Sequence, residues 1–361
     1  MHIFIHLLND FSGSPRIINE KIDCYQKSGV DCFIVTGGTN GFIRTSGYPH
    51  RIIPYKKHSN KMIWAWHLLF WHLQTFLFIL RIAGKADVVH CNTLLTAPHL
   101  LAAKIKGART VSHIMETRIT PKIHKRIMAG LVSCCADRLV YLSEYVKVAM
   151  KDTISGVPSK ITYPCVDPVI LNNANDLAQE KSRNGQFTVG LICSLIWFKG
   201  YREFIQLASI CPDLRFVLVL NGTAEAFYGE FNQDDLPSNL VVYFSLKDVS
   251  VALAEMDILL SLTQRTGWVE TFGLTLIEAM AFGIPVVAPD IGAPTEYIRH
   301  GVNGYLIDET DMAGLSVMLE ETFENAEKLL DMSNAARETA QGFTPSKFLD
   351  AVRSELDFIT S

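Results

Sequence analysis

Two glutamates that bracket seven residues mark the stretch that most constrains this chain. The stretch runs from Glu270 to Glu278 as Glu-Thr-Phe-Gly-Leu-Thr-Leu-Ile-Glu, and Gly-Ile-Pro follows a few residues later. Apolar spacing after Gly273 predicts a helix that ends at Gly283, and the Val-Val-Ala beyond it predicts a short buried strand. Glu270 is therefore expected on a loop, Gly273 at a helix start and Glu278 about one turn into the helix.

This arrangement suits a diphosphate that lies beside hydroxyl groups. Backbone N–H groups at a helix N-terminus are unpaired and carry partial positive charge, so they favour a bound phosphate. A glycine at that point lets the anion approach closely. The two carboxylates are instead suited to accept hydrogen bonds from sugar hydroxyls. The simpler alternative is a capped amphipathic helix with one glutamate at its start and another facing solvent.

The longer run from Thr271 to Asp308 resembles the donor-binding segment of retaining glycosyltransferases of family four. Those enzymes carry an E-x7-E motif, a Gly-x-Pro-Val-Val strand and a G-x-x-E-x-I-x-x-G-x-N-G-x-L pattern, and the last pattern here runs from Gly292 to Leu306. The resemblance implies an α/β protein with the GT-B fold. That fold has two facing Rossmann-like domains with parallel sheets and an interdomain cleft.

Alternating apolar strands and amphipathic helices run along the whole chain and predict the same class. The 361 residues, 48% of them hydrophobic, are enough for two cores. We predict an N-terminal acceptor domain over 1–165, a linker over 166–186 and a C-terminal donor domain over 187–343. The resemblance implies that a terminal helix over 344–361 packs back on the N-terminal domain. The loop after the first strand lacks G-x-G-x-x-G, which argues against a dehydrogenase.

The resemblance implies three sets of donor contacts in the C-terminal domain. Lys199 would hold the diphosphate, Glu278 the ribose hydroxyls, and Glu270 the transferred sugar as a catalytic residue. Backbone groups at the helix start would hold the diphosphate too, and they belong to Phe272, Gly273 and Leu274.

The chain departs from the family pattern at one donor-binding position. The arginine that normally precedes the lysine is Ser194 here. Ser194 could donate a hydrogen bond to the phosphate, or Arg265 could reach in from the loop before Glu270. The remaining possibility is that the donor binds more weakly.

A histidine of the N-terminal domain is the second implied catalytic residue. His113 lies near the end of a predicted strand, and the resemblance implies that it contacts the donor sugar across the cleft. His90, in a similar position, is interpreted as structural. Candidate acceptor or cleft residues lie on loops after the strands: Ser12, Gly13, Ser14, Asn92, Glu116 and Lys122.

The implied function is a retaining, hexosyltransferase-type reaction that needs no metal and no cofactor. It moves a sugar from a nucleoside-diphosphate sugar, with UDP or GDP as the nucleotide, to a hydroxyl of a glycan or lipid-linked acceptor. Surface polysaccharide synthesis, such as that of O-antigen or capsule, is the implied context. Two alternatives stay open: a sugar-nucleotide epimerase on the same fold, or a non-catalytic binding subunit.

Composition bears on partners and location. The net charge of −4 gives no basic field that would favour nucleic acid. Eight irregularly spaced cysteines, without a recognisable secretory leader, predict a reduced cytoplasmic protein.

The most apolar segment, residues 62–82, approaches the length of a membrane span. Polar side chains at His67, His72, Gln74 and Arg81 interrupt it, so a buried or interfacial helix is expected instead. A basic cluster lies just upstream of it, beside three tryptophans, and would suit an anionic membrane surface. These residues are Arg51, Lys56, Lys57, His58 and Lys61, with Trp64, Trp66 and Trp71. The alternative is a solvated loop followed by a core helix.

Overall fold

The computed structural model describes residues 1–56, 58, 60–177 and 186–361, with Lys61 described by its backbone alone. The chain divides into two compact units. Residues 1–164 together with 348–361 form the N-terminal domain, and residues 165–347 form the C-terminal domain. Each domain is built on one parallel sheet whose strands alternate with helices along the chain. The predicted α/β class with two Rossmann-like domains is therefore confirmed.

The N-terminal domain has a seven-stranded sheet in the order β3-β2-β1-β4-β5-β6-β7. Its strands are β1 (His2–His6), β2 (Cys32–Thr36), β3 (His50–Ile52), β4 (Val88–Asn92), β5 (Arg109–Ile114), β6 (Arg138–Tyr141) and β7 (Ser159–Ile161). Its helices are α1 (Gly13–Lys27), α2 (Lys61–Ile82), α3 (Pro98–Ile105), α4 (Lys122–Cys135) and α5 (Glu144–Met150). The strand order reverses between β1 and β4, which is where ligands bind in folds of this kind.

The C-terminal domain has a six-stranded sheet in the order β10-β9-β8-β11-β12-β13. Its strands are β8 (Thr188–Ser194), β9 (Arg215–Asn221), β10 (Leu240–Phe244), β11 (Ile258–Leu260), β12 (Val286–Pro289) and β13 (Gly304–Ile307). Its helices are α6 (Pro168–Leu177), α7 (Tyr201–Ile210), α8 (Ala224–Tyr228), α9 (Ser250–Glu255), α10 (Leu274–Ala281), α11 (Met312–Glu324) and α12 (Ala326–Ala340). Here the strand order reverses between β8 and β11.

The central strands are buried on both faces, as parallel sheets require. Strand β1 is buried along its whole length, and so is β4. Their side chains join one apolar cluster in the N-terminal domain, and those of β8 and β9 join another in the C-terminal domain. The two separate cores explain why 361 residues fold as two units.

The last helix, α13 (Pro345–Thr360), lies where the sequence places a terminal helix. It buries Phe348, Val352 and Ile359 on one face. Its contacts with β6 fix its end, since Arg138 Nε donates a hydrogen bond to the carbonyl of Phe358 at 3.0 Å. The Arg138 guanidinium also lies 5.3 Å from the centre of the Phe358 ring.

The predicted linker over 166–186 is wrong in its first half. Residues 168–177 form α6, and residues 178–185 lie outside the described part of the chain. Ile170 and Ala174 are buried and lie four positions apart, so they share one face of the helix. Pro168 begins it, which is a favoured place for proline. The many asparagines obscured this short apolar stripe.

Helix α2 packs only one of its two apolar faces into the domain core. Leu68, Trp71 and Ile79 are buried, whereas Trp66 is 70% exposed. Among the described residues, one helix is long and apolar enough to cross a membrane by length and composition alone, and that helix is α2. The basic cluster is described only in part, because Lys57 and the side chain of Lys61 lie outside the description. Of the two expected forms, a buried or an interfacial helix, the exposed face excludes a wholly buried helix and leaves the interfacial one.

Candidate active site

The candidate site lies at the carboxyl edge of the C-terminal sheet, where the strand order reverses. The loop after β8 carries Lys199, and the loop after β11 carries Thr263 and Glu270. Although 71 residues separate Lys199 from Glu270, their side chains meet in an ion pair. Thr263 Oγ1 donates a hydrogen bond to the same carboxylate oxygen, Glu270 Oε1, at 2.9 Å. The two charged side chains are 22% and 18% exposed, so both remain accessible to a ligand.

Gly200 explains how Lys199 reaches this position. A single 3-10 turn, Trp197–Lys199, ends at Gly200, whose φ of +81° is strained for other residues. A Cβ there would also come within 2.2 Å of the Leu262 carbonyl oxygen. The loops after β8 and β11 can therefore approach closely only because this residue is glycine.

The N-terminus of α10 lies next to Glu270 in the chain and is held rigidly. Gly273 caps the helix with a φ of +90°, and a Cβ there would lie 2.8 Å from the Tyr297 hydroxyl. Tyr297 donates a hydrogen bond to the carbonyl of Phe272 at 2.7 Å, and the Phe272 ring is buried. Leu274 is the first helical residue, as the sequence predicts. The loop that would approach a phosphate is thus fixed on both sides of the glycine.

Glu278 is less accessible than the sequence suggests. It lies on α10 as predicted, but only 3% of its surface is exposed. A ribose would have to reach an almost enclosed carboxylate. Ser194, by contrast, is the last residue of β8 and is half-buried. Its position at the carboxyl edge keeps it a candidate for a hydrogen bond to phosphate.

Arg265 does not take the place of the missing arginine. Its Nε lies 2.9 and 3.0 Å from the two carboxylate oxygens of Glu309, and its terminal nitrogen lies 2.9 Å from Asp290 Oδ1. These carboxylates raise the pKa of the guanidinium above its usual value, the Glu309 hydrogen bond contributing most. Glu309 is 1% exposed, so moving Arg265 away would leave a buried charge unpaired. To reach a diphosphate, Arg265 would have to give up these hydrogen bonds to Glu309 and Asp290.

His113 is an internal residue of the N-terminal domain. It is 1% exposed, its Nε2 lies 2.9 Å from His90 Nδ1, and its Nδ1 lies 3.2 Å from Lys21 Nζ. Because the Lys21 ammonium can only donate, His113 accepts at Nδ1 and donates at Nε2 to His90. The same order continues from His90 Nε2 to His2 Nδ1 at 2.9 Å. Both His113 nitrogens therefore have partners inside the N-terminal domain, and a contact with a donor sugar would require one of these hydrogen bonds to be exchanged.

The histidine chain makes stability depend on pH. Burial lowers the pKa of His2 to about 4 and the pKa values of His90 and His113 well below 6.5. Between about pH 6.5 and 4 the unfolded chain binds protons at these positions and the folded chain does not, so acid favours unfolding. We expect the free energy of unfolding to fall as the pH drops below 6.5.

Denaturant titrations at pH 7.5, 6 and 5 measure this effect, and NMR titration of the histidine Cε1–H signals assigns it. A variant at the exposed His50 (His50→Gln) is the control and should keep the same pH dependence. A His2 signal that titrates near 6.5 in the folded protein would refute the account.

The remaining N-terminal candidates are divided between surface and interior. Ser12 is exposed and bonds to Asp10, and Lys122 is exposed at the start of α4. Helix α1 begins at Gly13, so Gly13 and Ser14 lie in its first turn.

Asn92 and Glu116 hold the ends of β4 and β5 at the carboxyl edge of this sheet. Asn92 is fully buried, and its amide nitrogen donates to the Ile5 carbonyl at 3.2 Å. Glu116 accepts a hydrogen bond from the Leu94 backbone N–H at 2.6 Å. Burial raises the pKa of Glu116 to about 7. Both residues therefore have a structural role whether or not an acceptor binds here.

The sequence did not indicate three residues that contact the predicted site residues: Thr263, Tyr297 and His6. Thr263 follows β11 closely, so its position after a buried strand was a usable signal. His6 ends β1, is 2% exposed and lies 3.3 Å from Ser14 Oγ through its Nε2. Tyr297 gave no local signal, because its contact with Phe272 spans 25 residues.

Part of the chain is similar to a known protein family. Residues 172–339 match the family model for glycosyl transferases group 1, which covers most of the C-terminal domain. N-acetyl-alpha-D-glucosaminyl L-malate synthase of Bacillus anthracis is 34% identical over 100 residues, or 27% of this chain. That alignment spans 25% of the relative, so the similarity is confined to part of each protein.

Solved structures show the fold over the whole chain. Anabaena Alr3699/HepE in complex with UDP superposes with a TM-score of 0.80 over 99% of both chains, at 18% identity. WaaG, a glycosyltransferase involved in lipopolysaccharide biosynthesis, gives a TM-score of 0.71 over 98% of this chain and 99% of that chain, at 17% identity. The fold is GT-B.

Proposed function

We propose that this protein is a retaining glycosyltransferase that moves a sugar from a nucleoside-diphosphate sugar to an acceptor hydroxyl. The observation that carries the proposal is the cluster of Lys199, Thr263 and Glu270 beside the N-terminus of α10. The cation and the helix N-terminus suit the leaving diphosphate, which needs positive charge, and the carboxylate suits the sugar, whose hydroxyls need an acceptor.

Donor binding would exchange the partners of the ion pair. Lys199 would leave Glu270 for a diphosphate oxygen, and Glu270 would accept hydrogen bonds from sugar hydroxyls and so position C1. As the C1–oxygen bond breaks, negative charge grows on the leaving diphosphate. Lys199 and the α10 N-terminus would stabilise that charge. The site would therefore bind the transition state more tightly than the ground state.

In the proposed reaction the acceptor hydroxyl attacks C1 on the face from which the diphosphate leaves. A diphosphate oxygen takes the hydroxyl proton, the new glycosidic bond forms, and the anomeric configuration is retained. Lys199 and the helix N-terminus supply the positive charge, so we propose that the reaction needs no metal ion and no cofactor.

The donor nucleotide and the acceptor are also proposals. HepE was solved with UDP, which supports UDP or a related nucleotide such as GDP. WaaG acts in lipopolysaccharide biosynthesis, which supports a glycan or lipid-linked acceptor and surface polysaccharide synthesis. We propose a cytoplasmic protein that works at the inner face of a membrane and transfers a hexose-type sugar.

A donor screen tests the reaction directly. The pure protein is heated with UDP-, GDP- and dTDP-sugars, and slow donor hydrolysis is followed with and without EDTA. We expect one nucleotide class to raise the melting temperature and to be hydrolysed equally well in EDTA. NMR of the product made with an added acceptor reports whether the anomeric configuration is retained.

The same screen separates the alternatives. An epimerase would convert the donor sugar without any acceptor, and a binding subunit would be stabilised by the donor without hydrolysing it or transferring sugar. Ser194 in place of the family's arginine favours the binding subunit over the epimerase. Conversion to an epimer, or stabilisation without turnover, would overturn the transferase assignment.

A further inference from the structure

Helix α2 turns a continuous apolar surface outward. Its exposed large side chains are Met62 (75%), Trp66 (70%), Leu69 (59%), Phe70 (60%), Leu73 (54%) and Leu77 (56%). Each helical residue advances by about 100°, so these six side chains fall within an arc of about 100°. The core-facing stripe through Leu68, Trp71 and Ile79 lies on the opposite side. Patches of this kind on a folded domain indicate a binding surface.

The apolar surface continues onto the next two helices. Helix α2 packs on α3, and α3 packs on α4. The outward pair on α3 is Leu101 (40% exposed) and Ile105 (63%), and on α4 it is Ile123 (61%) and Ile127 (52%). Each pair has the i,i+4 spacing of one helix face. We call this surface of α2, α3 and α4 the three-helix face.

The three-helix face carries positive charge only. Helices α2, α3 and α4 contain no aspartate or glutamate. Between Cys32 and Cys135 the sequence has fourteen lysines and arginines against two acids, Asp87 and Glu116, although the net charge of the whole chain is −4. Lys122 and Arg126 are exposed beside the apolar pair of α4.

We propose that the three-helix face docks on an anionic lipid bilayer, with α2 lying in the plane of the interface. Apolar side chains enter the headgroup region, Trp66 among them, and the surrounding cations meet the lipid phosphates. This combination fits a bilayer better than a second copy of the chain, since pairing two such faces would oppose like charges.

The helix lies on the bilayer and does not cross it. Its opposite stripe is part of the domain core, with Trp71 and Ile79 fully buried. A spanning helix would have to withdraw that stripe and leave a large cavity. The three-helix face would be the surface that holds the protein at the proposed membrane location, so the docking rests on that part of the proposed function. The reaction chemistry can be tested separately, because donor hydrolysis needs no lipid.

Vesicle cosedimentation of the full chain tests the docking. We expect binding to phosphatidylglycerol-containing vesicles that falls at least about tenfold in the variant Trp66→Gln/Phe70→Gln/Leu73→Gln, because three interfacial anchors are lost. Glutamine keeps helix propensity and charge, so the change isolates apolar contact. A charge variant, Lys122→Glu/Arg126→Glu, should bind the vesicles at least about fivefold more weakly than the wild type. Its binding should also depend less on salt concentration.

Control variants use the same kinds of change elsewhere on the protein. Val317→Gln/Leu330→Gln alters exposed apolar residues of α11 and α12, which carry several acids. Lys27→Glu/Lys347→Glu alters exposed lysines on α1 and α13. Both controls should bind vesicles like the wild type. Circular dichroism and melting temperature verify that every variant is folded.

The outcomes separate the possible occupants. Absence of vesicle binding by the wild type, or unchanged binding by the glutamine triple variant, would overturn the proposal. A lipid-free dimer that the triple variant converts to monomer, without vesicle binding, would assign the face to a second copy instead. Protein that only detergent releases from vesicles would indicate insertion and overturn docking. Loss of vesicle binding by the glutamine triple variant, with intact donor turnover, would support the docking and leave the proposed reaction standing.

Discussion

Replacing Glu270 by glutamine should nearly abolish sugar transfer and, at the same time, tighten the binding of free nucleoside diphosphate. In the structure, the Glu270 carboxylate forms an ion pair with Lys199 and accepts a hydrogen bond from Thr263. Glutamine removes the charge that positions the sugar, so kcat/KM should fall by about a thousandfold, as for loss of a group that stabilises a transition state. It also frees Lys199, and a partly exposed ion pair of this kind corresponds to about two- to fivefold in affinity.

Calorimetric titration with the nucleoside diphosphate and an assay of sugar transfer measure the two effects separately. Lys199→Met should weaken both, because it removes the cation that the diphosphate needs. Glu327→Gln, the same change at an exposed position on α12, is the matched control. Wild-type-like transfer by Glu270→Gln or Glu270→Ala would sink the assignment. Weaker nucleotide binding by Glu270→Gln would show that the ion pair does not compete with the donor.

Local sequence signals were sufficient to predict the loop and helix that carry this site. Helix α10 begins at Leu274, directly after Gly273, because a glycine with positive φ ends the loop and apolar spacing begins there. The α/β class was predictable for the same reason, since each buried strand is a short apolar run between amphipathic helices. These features depend on neighbours within a few residues.

The features that the sequence did not predict are contacts between residues that are distant in the chain. Nothing near Arg265 indicates that Glu309, 44 residues later, holds its side chain. His113 ends a strand, as a ligand-binding residue would, yet Lys21 and His90 occupy both its nitrogens. Only tertiary structure decides between a functional and a structural role for such residues.

Periodicity has a second limit, which α2 illustrates. When both faces of a helix are apolar, the sequence pattern does not indicate which face enters the core. The buried Trp71 and the exposed Trp66 are chemically identical and lie five residues apart, which separates them by about 140° around the helix axis. The outward face became visible only when the neighbouring helices were placed.

The largest stability effect should come from Glu355, which joins the terminal helix to the N-terminal domain. Its carboxylate accepts hydrogen bonds from Lys21 Nζ at 2.8 Å, Tyr25 Oη at 2.9 Å and Thr162 Oγ1 at 2.7 Å. Glu355 is fully buried and Lys21 is 2% exposed. Glu355→Ala leaves the Lys21 charge buried without its partner, so we expect a loss of about 3–5 kcal/mol in the stability of this domain.

Removing both charges should do less damage than removing one. The double variant Lys21→Met/Glu355→Leu replaces the pair with apolar side chains of similar size, so much of the lost stability should return. Asp350→Ala is the matched control on the same helix, because its pair with Arg353 is 76% and 54% exposed and should cost less than about 1 kcal/mol. Urea denaturation and amide exchange in α13 measure all three. If Glu355→Ala were as stable as Asp350→Ala, the buried pair would not be what anchors α13, and its apolar face through Phe348 and Val352 would have to suffice.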